Sequence, residues 1–159
     1  MYDIIYITSK SGTVAGILNQ LFPGTVIKTD RNWSESLQML RERERSLVCL
    51  VGCLKILPKD LCDRHFVVNL HPANIVQYPE LKGLNPVEKF FDLFAGEEQQ
   101  ANVLHRARED VDNADCVYSI EYFNAATVNE SYVLSRKLAV AQWIYFLLDM
   151  EEGNIDDND

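Results

Sequence analysis

Leu47-Val-Cys-Leu-Val51 is an uninterrupted apolar run, and it stops at Gly52. A run of this length without alternating polar residues is typical of a central strand in a parallel sheet, because helices cover both faces of such a strand. A second apolar run, Phe66-Val-Val-Asn-Leu70, follows after one intervening segment. Two such runs close together in the chain predict the interior of a mainly parallel sheet.

On either side of these runs, apolar strands alternate with helical patterns from the first residues to about position 100. That order is typical of a parallel sheet with crossover helices. The 159 residues fit one domain of ordinary size. We therefore expect a single-domain α/β fold with a mainly parallel central sheet flanked by helices. The predicted elements are strands at 4–7, 25–28, 47–51, 66–70, 101–107 and 116–123, helices at 13–21, 33–45, from 85 onward and at 131–150, and a long loop at 71–84.

The charge balance narrows the classes of partner. The chain has 24 acidic and 15 basic residues, a formal net charge of −9, which disfavours binding through nucleic-acid phosphates or to an anionic membrane surface. Asp3 stands where a signal peptide requires positive charge, and no apolar stretch is long enough to span a bilayer. We therefore expect a cytoplasmic protein with neither a nucleic-acid nor a membrane partner.

The four cysteines show no pair at metal-ligand spacing. Cys49, Cys53, Cys62 and Cys116 form no CxxC motif, and the first two lie in or beside the central apolar run. Zinc sites use closely paired ligands. We therefore predict no metal site and interpret the cysteines as buried thiols.

Two helix starts carry capping signals. Asn32 stands three residues before Glu35, and Asn85 is followed by Pro86 and then by Glu88. An asparagine with a glutamate three residues later predicts a capping box, and proline favours the first helical position. We therefore predict a capping box at the start of each of these two helices.

The last predicted helix is apolar around much of its circumference, from Tyr132 through Leu148. Because this surface is wider than one sheet face covers, the helix is a candidate interface for a homodimer, and packing inside the monomer is the other interpretation. The acidic residues 151–159 that follow predict a disordered tail, outside a folded domain at residues 1–150.

Polar residues lie where strands end, which is where open α/β sheets bind ligands. Ser9-Lys-Ser-Gly-Thr13 offers backbone amides at a helix N-terminus to an anion, although such a turn also uses serine and glycine for local reasons. Asn69 and His71 lie on one side of their strand because side chains alternate along it. An amide donates a hydrogen bond to an oxygen that gains negative charge, and an imidazole moves a proton or donates to the same oxygen. A satisfied structural pair is the other interpretation of Asn69 and His71.

The acidic segment 109–115 is the third candidate. A carboxylate of this segment would favour the charged form of His71 if the segment folds back toward that ring. A solvated turn between two strands is the alternative, and the spacing alone does not choose between them.

Three motifs in chain order resemble the folate-dependent formyltransferase family, and most closely its branch that acts on glycinamide ribonucleotide. Asn69-Leu-His-Pro72 is similar to the family's Asn-x-His-Pro motif, and Val51-Gly-Cys-Leu-Lys-Ile-Leu57 is similar to the strand end and turn that precede it. Val103-Leu-His105 with Glu109-Asp-Val-Asp112 is similar to a later family passage that contains a histidine and two aspartates. The resemblance covers about residues 2–123 and implies a Rossmann-like formyltransferase fold.

The resemblance also implies transfer of a formyl group from 10-formyltetrahydrofolate, the co-substrate, to the primary amine of a small molecule, with no metal. Asn69 and protonated His71 would stabilise the oxyanion, and Asp112 would keep His71 charged. His105 is expected to be structural or peripheral. The implied site residues are Asn69, His71 and Asp112 for catalysis, Leu54, Lys55, Ile56, Leu57, Val111 and Asp112 for the folate, and Ser11, Gly12 and Thr13 for the acceptor.

Several positions depart from the family's pattern. Val14 replaces an asparagine of the family's phosphate loop, and Asn85 stands where the branch that acts on glycinamide ribonucleotide has a histidine. Residues 113–115 carry side chains where the family prefers glycines. The acceptor is therefore expected to be glycinamide ribonucleotide or, alternatively, the amine of a modified nucleobase or of an amino sugar nucleotide. A catalytically inactive folate- or nucleotide-binding module of the same fold is the other function that these residues allow.

Overall fold

A computed structural model describes residues 2–9, 11–94, 98–108 and 116–156 of the chain. Strands and helices alternate from the first strand to the fourth, as the apolar pattern predicts, and a short helix not expected from the sequence precedes the fourth strand. The elements in chain order are β1 (Ile4–Thr8), α1 (Thr13–Leu21), β2 (Thr25–Lys28), α2 (Trp33–Glu42), β3 (Leu47–Leu50), α3 (Lys59–Arg64), β4 (Phe66–His71), a 3₁₀ turn (Pro79–Leu81), α4 (Pro86–Phe94), β5 (Gln100–Arg106), β6 (Val117–Phe123) and α5 (Val128–Glu151).

The six strands form one sheet in the order β2-β1-β3-β4-β5-β6. β1 to β4 run parallel to one another, and β5 and β6 are antiparallel to their neighbours. The prediction of a mainly parallel sheet is confirmed. Because β2 lies on one side of β1 and β3 on the other, the chain reverses its direction across the sheet at β1. Ligands of open α/β sheets bind outside the carboxyl ends of the strands at such a switch point.

Helices cover both faces of the sheet. On one face α1 and α5 pack against a buried cluster that includes Tyr6, Phe66 and Trp143. On the other face α2 and α3 pack against a cluster that includes Ile7 and Leu50. This two-sided cover explains why the strand at the centre of the sheet is apolar at every position.

β4 divides its side chains between these two faces. Phe66 and Val68 join the cluster under α1 and α5, whereas Val67 joins the cluster under α2 and α3. Because side chains alternate along a strand, Asn69 and His71 lie on the same face as Val67. The polar pair of β4 therefore lies on the side of the sheet that carries α2 and α3, at the carboxyl end of the strand.

The capping box predicted at Asn32 is wrong. Asn32 has a φ of 49°, in the left-handed region, and its side chain makes no capping hydrogen bond at the start of α2. An N-cap side chain reaches the amides of the first turn from a β-region backbone, which Asn32 does not adopt. α2 also ends at Glu42 instead of continuing to 45, and Arg43 beyond it pairs with Asp3 at 2.9 Å between Nε and Oδ2.

The carboxylate of Glu88 in α4 contacts α5. It accepts the hydroxyl of Tyr132 at 2.9 and 2.8 Å from its two oxygens. Burial, with this carboxylate nearby, raises the pKa of Tyr132 to about 12. α5 itself begins at Val128, earlier than predicted, because Thr127 is its N-cap and accepts the N–H of Glu130 at 3.1 Å.

α5 carries polar side chains on its buried side, where the sequence predicts mainly apolar ones. The Ser131 hydroxyl donates to Gln100 Oε1 at 2.5 Å. The Ser135 hydroxyl donates to Asn102 Oδ1 at 2.6 Å, and Asn102 Nδ2 donates to the Ser135 carbonyl at 2.7 Å. Buried polar groups are stable when they are hydrogen-bonded. α5 therefore docks on β5 through these bonds as well as through apolar packing.

Residues beyond α5 are described as far as 156. Ile155 is partly buried against the cluster under α1 and α5, and the N–H of Asn154 donates to the Asp149 carbonyl at 2.9 Å. The last three residues of the predicted acidic tail, 157–159, lie outside the described residues. Within the described ranges, no helix is both long enough and apolar enough to cross a membrane.

Candidate active site

Ser9 joins the ends of three strands at the switch point. Its N–H donates to the Gly52 carbonyl at 3.1 Å, and its Oγ accepts the N–H of Leu54 at 3.0 Å. The same Oγ lies 2.7 Å from Oγ1 of Thr29, which follows β2. The turn after β1 and the turn after β3 are therefore held together. Sequence reasoning missed this link because 45 positions separate Ser9 from Leu54.

The turn after β3 presents apolar side chains to solvent. Leu54 is 59 % exposed, Ile56 is 77 % exposed, and Lys55 between them is exposed too. Leu57 is buried in the cluster under α2 and α3, and its carbonyl accepts the Cys62 thiol at 3.7 Å. Large apolar side chains that are exposed close together are typical of a surface that covers a ligand. The predicted folate turn therefore has a buried anchor and an exposed apolar rim.

The predicted acceptor turn has a backbone that favours glycine. Gly12 has a φ of +67°, and a Cβ at this position would lie 3.1 Å from Cγ2 of Thr8. Ser11 Oγ lies 3.1 Å from Thr13 Oγ1, and the N-cap residue of α1, Gly12, has no side chain that could cap the helix. The Lys28 side chain runs beside the turn, because its Cε would lie 3.7 Å from the same Cβ. Helix amides and an ammonium group together suit an anion.

The two predicted catalytic residues of β4 are buried on one face of the strand. Asn69 is 6 % exposed and stands opposite Leu50, the last residue of β3, and His71 is 5 % exposed and lies two positions farther along. His71 Nε2 lies 2.8 Å from the Leu81 carbonyl oxygen in the 3₁₀ turn. Because a carbonyl only accepts, Nε2 carries a hydrogen and donates it. The loop after β4 therefore orients the imidazole.

His105 lies beside Asn69, closer to the site than the sequence predicts. It is fully buried and stands directly opposite Asn69 in the pairing of β4 with β5. Asn69 Nδ2 lies 3.4 Å from His105 Nε2, and His105 Nδ1 donates to the Arg106 carbonyl at 3.0 Å. The only signal in the sequence is a histidine inside an apolar strand, where a polar side chain needs a partner.

Val111 and Asp112, the predicted site residues of the later motif, lie outside the described residues, as does the whole of segment 109–115. On either side of this segment, the N–H of Arg106 donates to the Cys116 carbonyl at 2.8 Å. The third catalytic position therefore stays a prediction.

Two cysteines near the turn after β3 are thiols at neutral pH. Burial raises the pKa of Cys53, and it raises the pKa of Cys62 to about 11. The thiolate is the nucleophilic form of cysteine, so neither side chain is suited to covalent catalysis. Across the described ranges, no group of three or more histidine, cysteine, aspartate or glutamate side chains is arranged to hold a metal ion. The described site therefore offers hydrogen-bond donors and an imidazole.

Comparisons with known proteins show which family and which folds the chain resembles. A family model described as formyl transferase matches residues 13–145, and no curated protein sequence matches the chain. The structure is similar to phosphoribosylglycinamide formyltransferase from Streptococcus pneumoniae TIGR4, with a TM-score of 0.70 and 19% identity over 91% of this chain and 99% of that one. It is also similar to a candidate sugar N-formyltransferase from Mycobacterium tuberculosis (TM-score 0.75, 15% identity, 96% of this chain and 69% of that one) and to methionyl-tRNA formyltransferase from Clostridium thermocellum (TM-score 0.71, 14% identity, 95% and 66%). At these identities the structural similarity shows the fold.

Proposed function

The chain belongs to the formyl transferase family and is a formyltransferase, and we propose that it transfers the formyl group of 10-formyltetrahydrofolate to the primary amine of a small molecule. The observation that carries this proposal is the burial of Asn69 and His71 on one face of β4, at the carboxyl end of the strand. A preorganised amide and imidazole stabilise negative charge on the oxygen of an acyl group during its transfer.

The folate binds, in this proposal, against the turn after β3. Leu54 and Ile56 supply exposed apolar surface for the flat pterin ring, and Leu57 anchors the turn in the core. Backbone groups of the turn, including those of Lys55, give the ring its hydrogen-bond partners. In this proposal Val111 and Asp112 also bind the folate. The exposure of an apolar pair beside the switch point supports this assignment.

Asn69 and His71 act on the formyl oxygen. The folate supplies a formyl carbon bonded to nitrogen; that bond breaks, a bond to the acceptor amine forms, and the proton that the amine loses replaces the formyl group on the folate nitrogen. Asn69 donates an N–H to the formyl oxygen as its negative charge grows, and protonated His71 donates a second hydrogen bond. Removal of one such donor typically raises the barrier by about 2.7–4 kcal/mol. Asp112 keeps His71 charged and relays the proton through water.

The acceptor carries an anionic group that binds at Ser11, Gly12 and Thr13. The uncapped amides of α1 and the neighbouring Lys28 support this assignment, because both favour negative charge. In this proposal the ammonium group of Lys28 also compensates for the asparagine side chain that Val14 replaces. Glycinamide ribonucleotide and an amino sugar nucleotide both combine a primary amine with phosphate, and a phosphorylated form of a modified nucleobase does so too.

The proposal is tested with purified protein, 10-formyltetrahydrofolate and a panel of amines, by measuring the release of tetrahydrofolate. The panel contains glycinamide ribonucleotide, an amino sugar nucleotide and an amino-modified nucleotide. Amine-dependent release with one of them supports formyl transfer from this donor. Folate binding without release in the presence of any amine would instead indicate the inactive binding module.

Variants of the β4 pair test the assignment of roles. Asn69→Ala and His71→Ala are expected to lower kcat by about 10²–10³-fold, because each removes one oxyanion donor. Asn124→Ala, at an exposed asparagine, and His65→Gln, at a buried histidine before β4, are the matched controls and keep kcat within a few-fold. Full turnover in either β4 variant would show that the pair is not catalytic.

We also propose a cytoplasmic protein without nucleic-acid or membrane partners, for which the formal net charge of −9 is the support.

A homodimer through α5 is proposed as well, since Val133 and Tyr145 are 48 % and 71 % exposed on this helix. Sedimentation equilibrium of the wild type and of Tyr145→Glu tests it. A concentration-dependent dimer that the variant loses supports the interface, and a monomer at every concentration excludes it.

A further inference from the structure

The hydrogen bonds of His105 define which of its nitrogens carries a hydrogen. The Arg106 carbonyl accepts from Nδ1 at 3.0 Å, and a carbonyl oxygen has no hydrogen to give. In a neutral imidazole with Nδ1–H, the other nitrogen has a lone pair and accepts. That nitrogen, Nε2, lies 3.4 Å from Nδ2 of Asn69. Because the amide nitrogen of Asn69 donates and does not accept, Nε2 accepts this bond and the ring is neutral.

This contact orients the Asn69 carboxamide. The two ends of an amide have nearly the same shape, so a half turn about the last side-chain bond exchanges the oxygen with the NH₂ group. An exchanged amide would place the Asn69 oxygen where an N–H must face the formyl oxygen. The two oxygens would repel each other, because both carry negative charge. Among the described residues, His105 is the side chain to which Asn69 hydrogen-bonds.

We propose that His105 is a positioning residue whose neutral Nδ1–H tautomer holds one N–H of Asn69 and so leaves the second N–H for the formyl oxygen. The inference rests on the proposed function, in which Asn69 stabilises the oxyanion. The antiparallel register supplies the geometry, because it sets His105 directly opposite Asn69 on the same face of the sheet. His105 touches neither substrate in this scheme and acts through Asn69.

Two substitutions at His105 separate positioning from simple packing. His105→Gln retains an acceptor, Oε1, near the place of Nε2, whereas His105→Phe keeps a planar ring without any acceptor. Both substitutions remove the Nδ1–H that donates to the Arg106 carbonyl, so the loss of that group is common to the two variants. Ser135→Ala is the matched control, because it removes a buried bond between α5 and β5 and does not touch Asn69.

The first measurement is steady-state kinetics with the best amine from the panel. We expect His105→Phe to lower kcat by about ten- to a hundred-fold, part of the loss that follows removal of an oxyanion donor, while the KM of each substrate changes by less than about three-fold. His105→Gln restores kcat to within a few-fold of wild type, and Ser135→Ala lowers stability without a fall in kcat. Equal losses in the two His105 variants, or a loss confined to KM, would overturn the proposal.

The second measurement needs no turnover. Nitrogen-15 NMR of the wild-type protein at neutral pH is expected to show His105 as a neutral ring protonated at Nδ1. The side-chain NH₂ signal of Asn69, assigned by its absence in Asn69→Ala, is expected to be protected from solvent exchange in wild type and His105→Gln and to lose that protection in His105→Phe. An Nε2–H tautomer, a charged ring, or unchanged protection in His105→Phe overturns the proposal. Failure of every amine to accept a formyl group, with these NMR results intact, refutes the proposed function and leaves the anchor of Asn69 standing.

Discussion

His65 makes the stability of this protein dependent on pH in a defined direction. Its side chain is fully buried, Nε2 donates to the Leu40 carbonyl at 2.7 Å, and Nδ1 accepts the N–H of Ser46 at 3.1 Å. A ring that donates from one nitrogen and accepts at the other is neutral. Burial is the main cause that lowers the pKa of His65, and the charge of nearby Arg64 acts in the same direction.

The lowered pKa fixes the sign of the effect. The unfolded chain binds a proton at His65 near pH 6.5, whereas the folded protein resists that proton. The stability that comes from this difference is fully present above pH 6.5 and is lost as the pH falls below 6.5 toward the folded pKa. For one proton, the slope of the unfolding free energy reaches at most about 1.4 kcal/mol per pH unit.

Two variants of His65 isolate the hydrogen bonds from the titration. His65→Phe leaves the Leu40 carbonyl and the Ser46 N–H buried without this partner, at about 1–3 kcal/mol each, so about 2–6 kcal/mol is lost at pH 8. His65→Gln retains a donor for the Leu40 carbonyl, so it loses only the stability that comes from the hydrogen bond with the Ser46 N–H. Neither variant titrates here, so both should show a shallower dependence on pH than wild type between pH 7.5 and 5.5.

Urea unfolding followed by tryptophan fluorescence measures these free energies. The difference between wild type and His65→Gln at each pH removes the contribution of the carboxylates that all variants share. A wild-type slope that persists in His65→Gln would refute the titration argument. A His65→Phe variant as stable as wild type at pH 8 would refute the hydrogen-bond argument.

Four further substitutions test the contacts that hold the switch point and the helices. Gly24→Ala would place a Cβ 2.3 Å from a backbone carbonyl of β1 and is expected to cost about 1–3 kcal/mol or more of stability. Gly16→Ala, which has open space around it in α1, should stabilise the protein by about 1 kcal/mol. Thermal unfolding compares the two variants. Ser9→Ala removes the hydrogen bond to the turn after β3 and should raise the KM for the folate about five- to ten-fold with little change in kcat. An unaltered KM would show that this hydrogen bond does not position the turn for the folate. Tyr132→Phe removes a hydrogen bond to a carboxylate of α4 and should cost about 1.5–3 kcal/mol in urea unfolding; an unshifted midpoint shows that the bond does not stabilise the fold.

Patterns within single elements were sufficient to predict the mainly parallel sheet and the shared face of Asn69 and His71. The run 47–51 is apolar at every position because helices cover both faces of its strand, and this cause acts within one segment. Asn69 and His71 share a face because a strand alternates, which is also a local rule. The capping box at Asn32 was predicted incorrectly, although α2 begins at the expected residue, because a left-handed backbone at Asn32 moves the side chain away from the amides that it was expected to cap.

Contacts between distant segments could not be read from the chain. His105 lies opposite Asn69 only through the register of β4 with β5, and Ser9 reaches Leu54 only because β1 and β3 are neighbours. Hydrophobicity alone does not identify the side of α5 that faces β5, because Ser135 on that side is buried with its hydrogen bonds satisfied. Local sequence determines which side chains share a face, since backbone geometry has a short period. Which face meets which partner depends on strand order and register, and these arise when the whole chain packs its apolar surfaces together.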